Sequence, residues 1–256
     1  QIARNAYLYF NYATHNSTPD QVMEKMIKGA TKAFGLAIDD LNLQYEKYTK
    51  ESDYPFEKLP WEPRVISYKE LLERVRAEKG EELDRRIVEL SSKLVKDKKV
   101  DERIFALKMV EMVHNMWSDK DPVIVAYFSP PYYPHIFVKG EDEREKKLID
   151  AVDRAIENAG DKYKIVNKKF YPYISDLSYA AAPREEEAVE SLQENMPGFG
   201  LRYKLPLKDM QELNLPVVNI GPFGKDAHKF TERLEMGYSF GVLPKILFDT
   251  VEGLLK

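Results

Sequence analysis

The stretch that decides the fold covers residues 215–232 and reads LPVVNIGPFGKDAHKFTE. Its first part, 216–220, is rich in valine and isoleucine and predicts a buried strand. Gly221 and Gly224 follow, and glycine lets a backbone turn tightly and approach a ligand. An apolar stripe at helical spacing predicts a closing helix over 238–255. Because open α/β sheets hold their ligands in loops at the carboxyl ends of strands, the stretch predicts a site as well as a fold.

Segments of strand and helix character alternate along the rest of the chain. Strands are predicted over 6–13, 122–129, 136–138 and 163–166. Helices are predicted over 19–37, 81–95, 101–117, 142–159 and 175–182, and a capping box of Ser67 and Glu70 opens a further helix. This alternation favours the α/β (α+β) class with a parallel or mixed sheet. Gly140 marks a boundary between two parts of the chain.

Composition excludes several classes of function. The 256 residues carry 39 basic and 43 acidic side chains, a net charge of −4, so no basic field favours nucleic acid or an anionic membrane as partner. There are no cysteines, which rules out disulfides, thiolate nucleophiles and cysteine zinc sites and is compatible with a cytoplasmic protein. No apolar run approaches the roughly 20 residues needed to span a bilayer.

Histidines are the candidate metal ligands, and the chain has four of them. His15 lies in a polar turn, His114 among apolar helix residues and His135 after a proline-rich turn, where structural roles are typical. His228 follows the predicted strand 216–220, with Glu232 four residues later. A neutral imidazole binds zinc well, and a nearby carboxylate can orient the ring or hold the loop. Considered alone, such a pair is common and more typical of an exposed surface than of a metal site.

The wider pattern resembles a known family. The stretch 215–232, followed by an amphipathic helix, resembles the last motif of the M20 metallopeptidases, and the segment 170–178 stands where that family has a Gly/Ser-rich turn with an aspartate. Four further segments resemble the RocB-type, arginine-utilisation branch: YFNY at 9–12, LPWEPRV at 59–65, YPYISD at 171–176 and DAHK at 226–229.

The resemblance implies a domain organisation. M20 enzymes combine an α/β catalytic domain with an inserted ferredoxin-like lid that often forms dimers. Residues 1–139 would be the remainder of the lid, with a helical insertion at about 41–117, and residues 140–256 would be the C-terminal part of the zinc-peptidase-like catalytic domain. The chain would then be the C-terminal portion of a longer protein, able to form a homodimer through the lid.

The resemblance also implies an activity. The longer protein would be a metal-dependent amide or peptide hydrolase with two zinc ions, acting on small peptides or acyl-amino acids in amino-acid or arginine catabolism. His228 would bind one zinc, while the remaining ligands and the catalytic base would lie upstream of this chain, leaving the isolated chain inactive. Five further residues are expected either to lie on the substrate side of the site or to order its loop: Asp176, Asn219, Gly221, Gly224 and Glu232.

Two alternatives come from other classes of function. In the first, the chain is a non-catalytic module that keeps the fold without a complete metal site and binds a small ligand or another protein. In the second, it is an independent α/β binding protein that uses the rigid aromatic turn at 130–137 and needs no metal.

Overall fold

The computed structural model describes residues 5–171 and 175–256 and shows a chain of mixed helices and short strands, which confirms the α+β class. The helices are α1 (Pro19–Ser52), α2 (Tyr68–Lys79), α3 (Glu81–Lys96), α4 (Glu102–Met116), α5 (Glu143–Ala159), α6 (Glu186–Glu194), α7 (Leu207–Leu213) and α8 (Leu243–Leu255). A 3-10 helix covers Asp176–Ala180, and a π-helical turn at Gly237–Val242 precedes α8.

The strands form separate two-stranded sheets. They are β1 (Val65–Ser67), β2 (Ile124–Ala126), β3 (Ile136–Phe137), β4 (Phe170–Tyr171), β5 (Gly224–Lys225) and β6 (Arg233–Leu234). The first pair, β1 and β2, is parallel, whereas β3 pairs antiparallel with β4, and β5 with β6. The sheets are therefore smaller than the predicted parallel or mixed sheet.

Helix ends follow local sequence signals closely. The predicted capping box is present at α2, where the Ser67 hydroxyl accepts from the Glu70 amide at 3.2 Å and the Glu70 carboxylate accepts from the Ser67 amide at 2.6 Å. The first helix is longer than predicted, because residues 38–52 contain no glycine or proline to end it. It stops at Asp53, which has the left-handed φ of 57°.

Three predicted strands are wrong in the described structure. Residues 6–13 have no regular secondary structure and are exposed, with Leu8 87% accessible. The segments 163–166 and 216–220 likewise belong to no sheet. Strand-forming residues need a neighbouring strand to pair their backbone groups, and none of the described residues provides one here.

The chain divides into two compact units. The helical unit comprises Ser17–Tyr132 and Pro183–Pro206, and the hairpin unit comprises Gln1–Asn16, Tyr133–Ala182 and Leu207–Lys256. The segment 183–206 thus groups with the first half of the chain. The assignment of 1–139 to a lid and of 140–256 to a catalytic domain stays a prediction.

The helical unit has a core built from α2, α3 and α4. Its most deeply buried apolar side chains are Leu71, Val75, Leu83, Phe105, Met109 and Val113. The hairpin unit has a smaller core, in which Leu148 and Val152 of α5 pack with Val138. Residues Val218, Ile220 and Leu254 pack against that cluster.

Arg64 fixes the loop that follows α4. Its guanidinium forms a bidentate ion pair with the Asp119 carboxylate and donates to the Asp121 carbonyl at 2.7 Å. The guanidinium carbon also lies 5.1 Å from the centroid of the Trp117 ring. Trp117 is buried against the core. The motif at 59–65 therefore contains, in Arg64, a residue that holds the helical unit together.

This ion pair predicts a loss of stability in acid. The hydrogen bond from Arg64 lowers the pKa of Asp119 from its ordinary 3.8 to about 2. Because the folded value is the lower one, the contribution to stability is complete above pH 3.8 and is lost as the pH falls towards about 2. We expect Asp119→Asn to flatten this part of the pH profile, as measured by urea unfolding at several pH values.

The control for that experiment is Asp84→Asn, which removes an exposed ion pair with Arg76. Exposed pairs contribute little to stability, so this variant should keep the wild-type profile between pH 2 and 4. Equal profiles for wild type and Asp119→Asn would contradict the prediction.

Candidate functional site

The candidate metal ligand His228 lies in the loop of a tight β-hairpin. Strands β5 and β6 pair with Gly224 opposite Leu234 and Lys225 opposite Arg233. A side chain at Gly224 would place its Cβ 2.5 Å from the Arg233 carbonyl oxygen. Gly224 therefore permits the close approach of the two hairpin strands to each other.

Asp226 organises the loop between the hairpin strands. Its carboxylate accepts from the Thr231 hydroxyl at 3.0 Å and forms an ion pair with Arg233, while its carbonyl accepts from the Lys229 amide at 2.9 Å. Its backbone is left-handed, with a φ of 59°. The motif at 226–229 includes Asp226 but did not predict this role. Aspartate is favoured in turns because it tolerates the left-handed conformation and its carboxylate accepts hydrogen bonds from nearby donors.

The backbone of His228 is held by a hydrogen bond, while its side chain is exposed. His228 has a left-handed φ of 64°, and its amide donates to the Glu232 carboxylate at 3.3 Å. The Glu232 amide in turn donates to the Lys229 carbonyl at 3.0 Å. Glu232 thus contacts the backbone of His228 rather than its imidazole, and both side chains are exposed.

The other three histidines have different surroundings. The His15 ring lies edge-on to Phe170, with centroids 3.9 Å apart, and His114 lies 6.4 Å from Trp117. His135 also interacts with neighbouring groups. Among the residues that the structure describes, nothing contacts the imidazole of His228 through a hydrogen bond or an aromatic ring. It is therefore the histidine best placed to accept an external ligand.

Asn219 and Gly221 lie at a different feature, a cleft of about 310 Å³ in the hairpin unit. The cleft is lined by apolar side chains of α5 and by the segments 165–171 and 217–221. Asp176 lies elsewhere, exposed at the start of the 3-10 helix, where Ser175 caps the turn by accepting from the Leu177 amide at 3.2 Å.

The predicted site residues therefore fall into separate groups. Gly224, His228 and Glu232 share the hairpin, Asn219 and Gly221 share the cleft, and Asp176 belongs to neither lining. No group of three or more His, Asp or Glu side chains suited to a metal occurs within residues 5–171 and 175–256. Zinc sites use three or four protein ligands, so His228 by itself does not make a complete zinc site.

Glu235 connects the hairpin to the closing helix, a role that sequence reasoning missed. Its amide donates to the Phe223 carbonyl at 2.9 Å, and its carboxylate accepts from the Tyr163 hydroxyl at 3.3 Å and from the Tyr238 amide. Desolvation and the nearby negative charge of Glu235 raise the pKa of Tyr163. A side chain at Gly237 would collide with the Tyr163 hydroxyl, at 2.5 Å from its Cβ. These contacts fix the base of the hairpin against Tyr163 and the start of the closing helix.

The fold and the hairpin define an α+β protein with an anchored, solvent-facing histidine. In the described part of the chain, no helix has the length and apolar character to cross a membrane. No protein-family profile matches the chain, and no solved structure matches it.

Two relatives from Bacillus subtilis (strain 168) match this chain along its whole length. It is 30% identical over 260 residues to Protein RocB and 30% identical over 258 residues to the uncharacterized protein YqjN. Each alignment covers all of this chain and 45% of the relative, so the chain spans about half the length of the curated relatives it matches. The matches support a RocB-type protein and confirm the resemblance predicted from the four motifs.

Proposed function

We propose that this chain supplies part of a metal-dependent amide or peptide hydrolase of the M20 type, in which His228 binds one of two zinc ions. The other ligands and the general base would come from polypeptide outside the 256 residues. The catalytic domain would include residues 140–256, and residues 1–139 would belong to the lid, which could form a homodimer.

The observation that carries the proposal is the presentation of His228. Asp226, Thr231 and Arg233 fix the hairpin loop, and Glu232 holds the His228 amide. The imidazole is left solvent-facing on a fixed backbone. Because the backbone is already held, metal binding at this position would order only the imidazole side chain and not the loop.

The chemistry of the donors fits one half of a zinc site. Imidazole nitrogen is a common zinc ligand, and Glu232 lies beside it without occupying its ring nitrogens. Zinc, when bound, supplies Lewis acidity to an amide carbonyl and a more acidic water. The part of this chain would be to hold its ligand in place, while Asn219 and Gly221 would contribute to the substrate side.

The substrate class follows from the resemblance. RocB-type arginine-utilisation proteins imply amino-acid catabolism, and we propose a small peptide or acyl-amino acid, with arginine derivatives first among them. A cytoplasmic location belongs to the same proposal.

Metal removal tests the proposed activity. The protein is prepared as a polypeptide of the relatives' length carrying this sequence, and its metal content and hydrolysis of N-acyl-arginine and arginine dipeptides are measured. We expect two zinc ions per chain and a loss of about 100-fold or more in activity on chelation, with recovery on adding zinc. A folded protein that binds no metal and hydrolyses none of these substrates would instead favour the non-catalytic interaction module.

A further inference from the structure

A cavity of about 240 Å³ lies within the helical unit, and none of the predicted site residues lines it. One wall is the part of α2 between Tyr68 and Arg76, and another is formed by residues 193–201. Ile87 of α3 and Met109 of α4 complete the lining. We call this space the helical-unit cavity.

Most of the lining of the helical-unit cavity is apolar. It includes Leu72, Ile87, Met109, Met196 and Phe199. Pockets for drug-sized ligands have volumes of about 300–1,000 Å³ and combine apolar walls with a few polar groups. A smaller cavity with similar walls suits a smaller ligand with a short aliphatic body.

Tyr68 supplies a buried polar group that has no partner in the protein. The side chain is 6% exposed, yet its hydroxyl makes no hydrogen bond to any described residue and is not sealed from solvent. Burial raises the pKa of Tyr68 to about 12, so the hydroxyl is protonated at neutral pH and can both donate and accept. Buried tyrosine hydroxyls normally have a hydrogen-bond partner, so this one is available to a molecule in the cavity.

Four charged side chains line the cavity, and three of them are already paired. Lys69 pairs with Glu194 at 2.6 Å, and Arg76 pairs with Asp84 at 3.0 Å. Glu73 makes no ion pair and no hydrogen bond within the part of the chain that the structure describes. Its carboxylate is therefore the one free charge of the described lining, and it favours a cation as ligand.

We propose that the helical-unit cavity binds a small organic cation, namely a primary ammonium group on a short aliphatic chain. The chain would pack against the apolar walls, and the ammonium group would pair with Glu73. A primary ammonium has three N–H donors, and two more acceptors line the cavity. They are the Tyr68 hydroxyl and the side-chain carbonyl of Gln193, whose amide makes no hydrogen bond to the described residues.

Methionine methyl groups report occupation of the cavity directly. Of the eight methionines in the chain, Met109 and Met196 line the cavity, whereas Met23 and Met210 are buried elsewhere. Methyl NMR spectra of the 256-residue chain, labelled at methionine, are recorded at pH 7 during titration with pentylamine, 1-pentanol or pentanoate. These probes share five carbons and are respectively cationic, neutral and anionic at this pH.

We expect protonated pentylamine to shift the methyl signals of Met109 and Met196, with a Kd of about 1 mM, and to leave those of Met23 and Met210 in place. The neutral 1-pentanol should bind about fivefold more weakly, because it lacks the attraction to Glu73. Pentanoate should bind most weakly, because its carboxylate repels that of Glu73.

A matched pair of glutamine substitutions tests the role of the charge. Glu73→Gln keeps the size of the side chain, and it should weaken binding of pentylamine by about fivefold while leaving that of 1-pentanol unchanged. Glu24→Gln is the control, since Glu24 is an exposed glutamate of α1 that lies outside the lining and forms no ion pair among the described residues. It should leave all three affinities unchanged.

A third variant tests the buried hydroxyl. Tyr68→Phe should weaken binding of pentylamine by about threefold, because a hydrogen bond to the ligand is lost. The midpoint of urea unfolding should stay unchanged, because the hydroxyl has no partner within the described protein.

Three results would overturn the proposal. They are the absence of shifts at Met109 and Met196 up to about 50 mM pentylamine, equal affinities for the three probes, and wild-type affinity in both Glu73→Gln and Tyr68→Phe. None of these measurements uses metal or hydrolysis. The cavity proposal can therefore fail while the hydrolase proposal stands, and the reverse also holds.

Discussion

Replacing Gly198 by alanine is expected to destabilise the protein by about 2–5 kcal/mol. Gly198 has a left-handed φ of 86°, and an added Cβ would lie 2.4 Å from Cε1 of Phe105. Phe105 is fully buried, with Leu94, Val100 and Met109 packed around it, so moving its ring would disturb the core. Backbone strain and overpacking therefore add together at this position.

Gly200 offers the matched control. Its φ of 79° is equally left-handed, but nothing lies within 4 Å of the position that a Cβ would take. Gly200→Ala should therefore cost only the backbone strain, about 1–2 kcal/mol. The measurement is the free energy of unfolding in urea for each variant beside the wild type.

A second substitution separates the two causes. In a Phe105→Leu background, Gly198→Ala should cost little more than Gly200→Ala, because the ring that blocks the methyl group has been removed. If Gly198→Ala and Gly200→Ala prove equally destabilising in the wild-type background, the packing explanation fails.

Replacing His228 by asparagine is expected to reduce hydrolysis by at least about 100-fold in a polypeptide of the relatives' length. Asparagine tolerates the left-handed conformation that position 228 requires, so the loop should keep its shape, while its amide is a poor zinc ligand. The zinc content should fall from two ions per chain to one.

Lys229→Ala is the control for that variant. Lys229 is an exposed neighbour in the same loop, and its hydrogen bonds to Asp226 and Glu232 use only its backbone amide and carbonyl. We expect normal zinc content and activity, and thermal unfolding should show that both variants are folded. Full activity and two zinc ions in His228→Asn would show that another residue holds the metal.

Local sequence signals predicted the helices well. Capping residues, helical spacing and the absence of breakers act within a few residues, and α3, α4 and α5 lie within two residues of their predicted ends. The same kind of evidence predicted strands at 163–166 and 216–220, but these pair with no strand among the described residues, because a strand depends on partners distant in sequence.

The role of His228 as a metal ligand stays a prediction. The sequence context singled out His228 as a candidate ligand, and its side chain is exposed in the hairpin loop. The contacts that hold that loop were not predicted, since the pairing of Asp226 with Arg233 and of Glu235 with Tyr163 depends on side chains brought together by folding.

By itself, the sequence determined α3, α4 and α5 and the start of α2, the absence of cysteine chemistry and the similarity to RocB. Helix formation and motif identity are properties of neighbouring residues. Only the tertiary structure decided that Gly224 serves a close strand contact, that Glu232 holds the His228 amide, and that 165–171 and 217–221 line one cleft. These features depend on distances between residues that are far apart in the chain, and such distances exist only after folding.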